Sequence, residues 1–229
     1  MKTKTTAAFP FFLVLALSAS SVRADRQQIP LAPRIGKLPI QQPLSLPAAL
    51  YLSPLTKQLV YRSPDYIPWR GIRTLDSLRP FEIAVGRAFA AAVFEALAQA
   101  APGLAIVEEV PPARGRQLLI EASLEKVSLD LSYYTFDIRP PQSNLLEVEG
   151  FLEAALRLTQ EGKPAWRKIY RADIPGDRIL LNPWTGEQIA GKVADAVASL
   201  VREMALEMAA GPEGPALPLD QWLKSPTGK

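Results

Sequence analysis

The chain has 229 residues, 48% of them hydrophobic, with 26 basic and 23 acidic side chains and neither cysteine nor histidine. Their absence excludes disulfides, the usual zinc sites, and the serine-histidine and cysteine-histidine nucleophile systems. The fold must therefore be held by a hydrophobic core alone.

Lys2 and Lys4 precede an apolar run from Ala7 to Ala19, and small residues surround Val22-Arg23-Ala24. This pattern is that of a secretory signal peptide over residues 1–24, cut between Ala24 and Asp25, and it places the mature protein in the periplasm. The apolar run falls short of the roughly 20 residues a spanning helix needs. Cleavage would remove Lys2, Lys4 and Arg23 and no acid. Taking those three from the 26 basic residues leaves 23 against 23 acidic, so bulk charge selects neither a nucleic acid nor an anionic membrane. With no cysteine after the signal, no lipid anchor is expected.

Residues 25–47 form a leader with prolines at 30, 33, 39, 43 and 47 and no helical or alternating pattern. It reads as an extended strap laid along its own domain. The alternative is a tether, which would reach roughly 60–70 Å at ~3.1 Å per residue. A single domain follows over residues 48–211. It opens with two β-prone runs, Ala48–Ser53 and Gln58–Arg62, around a turn at Pro54, and then a loop containing Tyr66, Trp69 and Arg70.

Phe81, Val85, Ala88, Phe89, Ala92, Val93, Ala96 and Leu97 repeat at helical spacing, which predicts a first helix with Pro80 in its opening turn and Pro102-Gly103 at its end. The alanines at 88, 91, 92 and 96 would let it approach a sheet closely, with Gly150 as a landing point. A short run near Leu104 to Glu108 precedes the clearest β signal. There Leu118, Ile120, Ala122 and Leu124 alternate with polar residues, and Val127, Leu129, Leu131 and Tyr133 continue one residue out of phase. That slip predicts a bulge near Glu125 and Lys126.

A further strand runs from Leu146 to Leu158 and turns at Glu161-Gly162 into Ala165–Ile174. The register that best matches apolar with apolar sets Leu158 opposite Trp166, Ala154 opposite Tyr170, Leu152 opposite Ala172 and Glu153 opposite Arg171. Lys168 opposite Leu156 is its one poor pair. The last helix carries Ile189, Val193, Val197, Leu200, Val201, Met204 and Met208 on one stripe. Thr185 and Gln188 have capping-box spacing, and Trp184 stands where it would staple onto Ile189. Residues 212–229, including Trp222, read as a flexible tail.

The resulting order, β-β-α-β-β-β-β-α, predicts an α+β fold of two layers: a mainly antiparallel sheet with two long helices packed on one face.

No motif points to catalysis, to a metal or to a cofactor. Glu147, Glu149 and Glu153 share one strand face, but charges alternating opposite an apolar face describe a half-solvated strand. The partner-binding candidates are the aromatic and basic residues of two loop regions, Tyr66, Trp69, Arg70, Tyr133, Tyr134 and Phe136, because exposed aromatics anchor binding surfaces. Met204 and Met208 read as core filler, although a lipid groove between the helices would use the same residues.

The segment LPAALYLSPLTKQLVYRSPDYIPWRG, followed by a long alanine-rich helix, a strand series, a hairpin and a final helix, resembles the periplasmic auxiliary lipoproteins of ABC-type transport systems. The resemblance spans Leu46 to Ala210 in element order and rests in motif on Leu59-Val60-Tyr61-Arg62 and Trp69. It implies a non-enzymatic accessory subunit of an envelope transport complex, one that often moves lipid between membranes and docks through this domain. The chain departs from that pattern in lacking the acylated cysteine. The resulting expectation is a periplasmic accessory or scaffold protein binding an envelope complex, with a soluble carrier of a lipid or other apolar molecule as the alternative. Expressed with its signal, the mature protein should give an intact mass beginning at Asp25. A mass retaining residues 1–24 would refute the cleavage.

Overall fold

A computed structural model describes residues 26–64, 80–110, 118–135, 144–160, 162–180 and 184–210. The signal segment and the tail lie outside the described residues. The fold is α+β, and the described residues form eight strands in two sheets with two long helices packed against them.

Its frame is an antiparallel meander of three long strands: β6 (Leu118–Thr135), β7 (Asn144–Gln160) and β8 (Lys163–Leu180). The alternation in β6 buries Leu118, Ile120, Ala122 and Leu124. The ladder with β7 then shifts between Leu124 and Lys126, as the phase slip predicts, and Val127, Leu129 and Leu131 continue on the same face. The β7–β8 pairing sets Leu158 opposite Trp166, Ala154 opposite Tyr170, Leu152 opposite Ala172 and Glu153 opposite Arg171, the register that apolar matching selects. The strands extend beyond the expected limits because the ladder continues past Gly150 through a second irregularity. The poor pairing of Lys168 with Leu156 is resolved by tertiary structure. Its ammonium reaches over the sheet edge to both carboxylate oxygens of Glu207, at 2.6 and 2.7 Å, and lies 4.9 Å from the centre of the Tyr170 ring.

Two strands extend this meander in parallel. β2 (Ala48–Leu52) pairs with β6 on one side and β5 (Leu104–Val107) on the other, giving the order β5-β2-β6-β7-β8. Ala49 and Leu50, on opposite faces of β2, are both fully buried, as an interior strand requires.

Three local expectations fail here. The turn at Pro54 is a short helix, α1 (Pro54–Gln58), with Pro54 in its first turn and Ser53 capping the amide of Thr56 at 3.1 Å. Only Tyr61–Arg62 of the second β-prone run is a strand, β3. Phe81–Ile83, assigned above to the first helix, forms β4, because Phe81 and Ile83 are buried on one side of an extended run while Glu82 points the other way. The helix proper, α2, spans Val85–Ala100. The observed order is therefore β-β-α-β-β-α-β-β-β-β-α, with a second sheet ordered β1-β4-β3.

α2 and α3 (Thr185–Ala210) cover one face of the five-stranded sheet. Ala88, Ala92 and Ala96 face inward, whereas Ala91 is exposed. Trp184 is 66% exposed, and its carbonyl accepts the amide of Gln188 at 3.1 Å.

The leader crosses the helices on their far side. Its first residues form β1 (Gln27–Ile29), parallel to β4. The Gln28 amide donates to Glu82, which also accepts from Arg62, and these two bonds, Gln28 first, hold the Glu82 carboxyl below its ordinary range. Farther along, Gln99 of α2 accepts the amide of Leu38 and donates to the carbonyl of Gly36, both at 2.9 Å. Arg202 of α3 donates to the carbonyls of Arg34 and Ile35. Ile29, Ile35, Leu38 and Leu44 are buried in the common core, so this stretch is a strap on its own domain.

The closest neighbour of Gly150 is the adjacent strand rather than the first helix. A Cβ there would stand 2.1 Å from the Ser128 carbonyl oxygen and 3.0 Å from the Leu129 Cα. Backbone atoms cannot swing aside, so Gly150→Ala must part β6 from β7. The expected cost is roughly 1–3 kcal/mol or more, lowering Tm by about 2–4 °C for each kcal/mol in a domain of this size. An unchanged melt by circular dichroism would contradict the close approach.

Candidate functional site: the open face and edge of the sheet

The face of the large sheet turned away from the helices carries the alternate residues of each strand; Ala49, Leu119 and Ala155 are buried there, and charge concentrates in rows across β6, β7 and β8. Reading across the register, one row runs Val107, Tyr51, Glu121, Arg157, Arg167. Glu121 meets Arg157 at 3.5 Å. A parallel row sets Lys126, Glu153 and Arg171 side by side, and Arg171 bonds Asp173 at 2.8 Å and Glu153 at 3.3 Å. Those two acids, Asp173 first, raise the Arg171 guanidinium above its ordinary range. Between these charges the Phe151 ring is flanked by Lys126 at 4.8 Å and Arg171 at 3.9 Å.

A concavity of about 610 Å³ opens on this face, lined by Tyr51, Ser53, Ser123, Glu125, Arg157 and Arg167 among others. Ser123 donates to Glu125. Ala155 contributes little bulk to the floor, which is why a hollow forms there. Among the described residues no strand pairs with the far side of β8, so the sheet ends on a long open edge beside this hollow. Ile169 is 57% exposed on that edge.

Of the partner-binding candidates, Tyr66, Trp69, Arg70 and Phe136 lie outside the described residues. Tyr133 and Tyr134 occupy the last turns of the β6 ladder, opposite Leu146 and Leu145. The three glutamates behave as a solvated strand face: Glu147 meets Arg178 at 3.9 Å and Glu153 meets Arg171. Composition alone does not single out the hollow. Its most unusual feature, Arg157 directly opposite Arg167, was nevertheless implicit in the hairpin register.

Among the described residues the layer between helices and sheet is closely packed. Val93, Leu97, Leu152, Leu156, Val197, Met204 and Met208 have no accessible surface, so no water-sized void adjoins them. Tyr170 is buried in this layer, edge-on to Trp166 at 6.5 Å, and among the described residues its hydroxyl has no hydrogen-bond partner of good geometry, although the Glu207 carboxylate stands close by. Burial first, then the nearby Glu207 carboxylate, raises its phenol far above the ordinary value.

No family model matches the chain, and no curated protein matches it. Solved structures do. A Xanthomonas campestris protein of the DUF330 family model superposes with a TM-score of 0.45 at 10% identity, covering 78% of this chain and 92% of the other. A neuraminyllactose-binding hemagglutinin homolog from Helicobacter pylori gives 0.38 at 8% identity, with 75% and 90% coverage. An uncharacterized protein gives 0.30 at 12%, with 79% and 96%.

A buried hydroxyl without a partner costs about 1–3 kcal/mol, and deleting it relieves that cost. Tyr170→Phe is accordingly expected to hold or raise Tm. A fall beyond about 4 °C, or roughly 1 kcal/mol, would mean that the hydroxyl is bonded to Glu207 in solution.

Proposed function

We propose that the protein is a non-enzymatic accessory or scaffold subunit of a cell-envelope transport or assembly complex, exported to the periplasm and acting by binding protein. The observation that carries this reading is the asymmetry of the sheet. One face is sealed by α2, α3 and the strap, while the other presents rows of charge and a hollow beside a long open edge. An open strand edge can accept a partner strand through its backbone alone, without a side-chain motif. The signal peptide read from the first 24 residues and the near-zero mature charge agree with an exported, protein-directed role.

The carrier alternative requires room between helices and sheet, and the fully buried Met204 and Met208 occupy that layer. The accessory reading is therefore preferred.

Purification of the tagged protein from its host envelope in mild detergent, with quantitative mass spectrometry of what accompanies it, tests the proposal. Transporter permease or substrate-binding subunits are expected in fixed ratio to the bait. Bait recovered alone, or with apolar ligand as its sole companion, would overturn it.

A further inference from the structure

Each charged row on the open face can be followed strand by strand. On β8, Arg171 faces Glu153 and Arg178 faces Glu147, so each of these bases meets an acid of β7. Arg167 faces Arg157 instead. Like charges directly opposite one another destabilise a ladder. Glu121 offsets the charge of Arg157 from the β6 side, but among the described residues no acid reaches Arg167. The row thus reads acid, base, base, and then stops at the open edge. It is short of one carboxylate, on the side where no strand stands.

The edge at that point is suited to pairing. From Trp166 to Ile174 the β7–β8 register runs without interruption, and Pro164 and Pro175, which lack an N–H, bracket the stretch. Two residues beyond Arg167, in the row Ser123, Ala155, Ile169, the isoleucine stands 57% exposed on the same face. A strand laid along β8 would bring its side chains about 4.5–5.5 Å from those of Arg167 and Ile169. An acid there completes the first row, and an apolar residue two positions along covers Ile169.

We infer that the β8 edge between Ala165 and Ile174 is a docking site for an extended segment of another protein, one that sets a carboxylate opposite Arg167 and an apolar side chain over Ile169. This rests on the accessory reading above and names the surface and the partner's chemistry. Charged edge residues also keep sheets from pairing indiscriminately. The two roles are compatible, because an arginine that repels a basic or self-paired strand selects an acidic one.

The probe is a dye-labelled, doubly capped, threonine-rich peptide with a Glu-Thr-Val-Thr-Glu centre, whose palindromic core reads the same in either strand direction. The control carries Lys-Thr-Val-Thr-Lys. In anisotropy titrations with the purified chain, the glutamate peptide should bind about tenfold or more tighter than the lysine peptide. Arg167→Glu should reverse that order, and Ile169→Lys should weaken the glutamate peptide. Arg167→Gln, which removes the charge without reversing it, gives the same test if Arg167→Glu loses its cooperative melt, and should erase most of the discrimination. Equal binding of the two peptides, or discrimination unaffected in folded Arg167 variants, would overturn the inference. Recovery of an envelope partner by the Arg167 variants as readily as by the parent would also overturn it, while leaving the accessory reading intact. A parent chain that discriminates the peptides but recovers no envelope protein would support the edge and defeat the accessory reading.

Discussion

β6 keeps one apolar face toward the helices from Leu118 to Leu131 only because its ladder slips by one residue between Leu124 and Lys126. Without that slip the second half of the strand would turn Val127, Leu129 and Leu131 outward and Lys126 inward. The long meander could then not be capped by two helices, and β7 and β8 would have no continuous template. The bulge therefore decides which residues form the core and which form the charged outer rows. It also places Lys126 beside Glu153 and near Phe151, so that the outer face after the slip carries a matched set of charges around a single aromatic ring.

The other side of the molecule is closed by a different device. The strap uses few regular hydrogen bonds, as a proline-rich segment must, and is instead held at intervals by side chains of the helices. Gln99 grips it from α2 and Arg202 grips it from α3, while Ile35, Leu38 and Leu44 fill the groove beneath. Ile29 lies so close to the first turn of α3 that a Cβ on Gly186 would stand 2.2 Å from its Cδ1. The strap thus covers part of the helical side, and the charged rows and the β8 edge lie on the opposite one.

Most of the framework was legible in the residues. The bulge, the hairpin register and the buried stripe of α3 follow from alternation and helical spacing, which local sequence carries in full. The misreadings have a common physical origin. Phe81 fits the helical stripe that continues at Val85 and, with Ile83, also an alternating pattern, and the choice is made by β1, a segment more than fifty residues away that pairs with them in parallel. Lys168 looked like a mismatch because the pairing considers only the sheet, while its partner Glu207 comes from α3. Pro54 suggests a turn, but Ser53 and Thr56 have the spacing of a helix start, and that local signal decides. The Arg157–Arg167 pair follows from the apolar-matched register, whereas exposed aromatic residues point to the loops. What sequence could not supply is the knowledge that, among the described residues, β8 stands at one edge of the sheet and β5 at the other.

The claim on which the account turns is that the β8 edge is open in the free protein. Amide hydrogen exchange followed residue by residue by NMR reads this directly. Between Ala165 and Ile174, every second amide should be protected by its bond to β7 and the intervening amides should exchange rapidly, a strict alternation along the strand. Uniform protection through this stretch would mean that another segment already covers the edge, and would contradict the account.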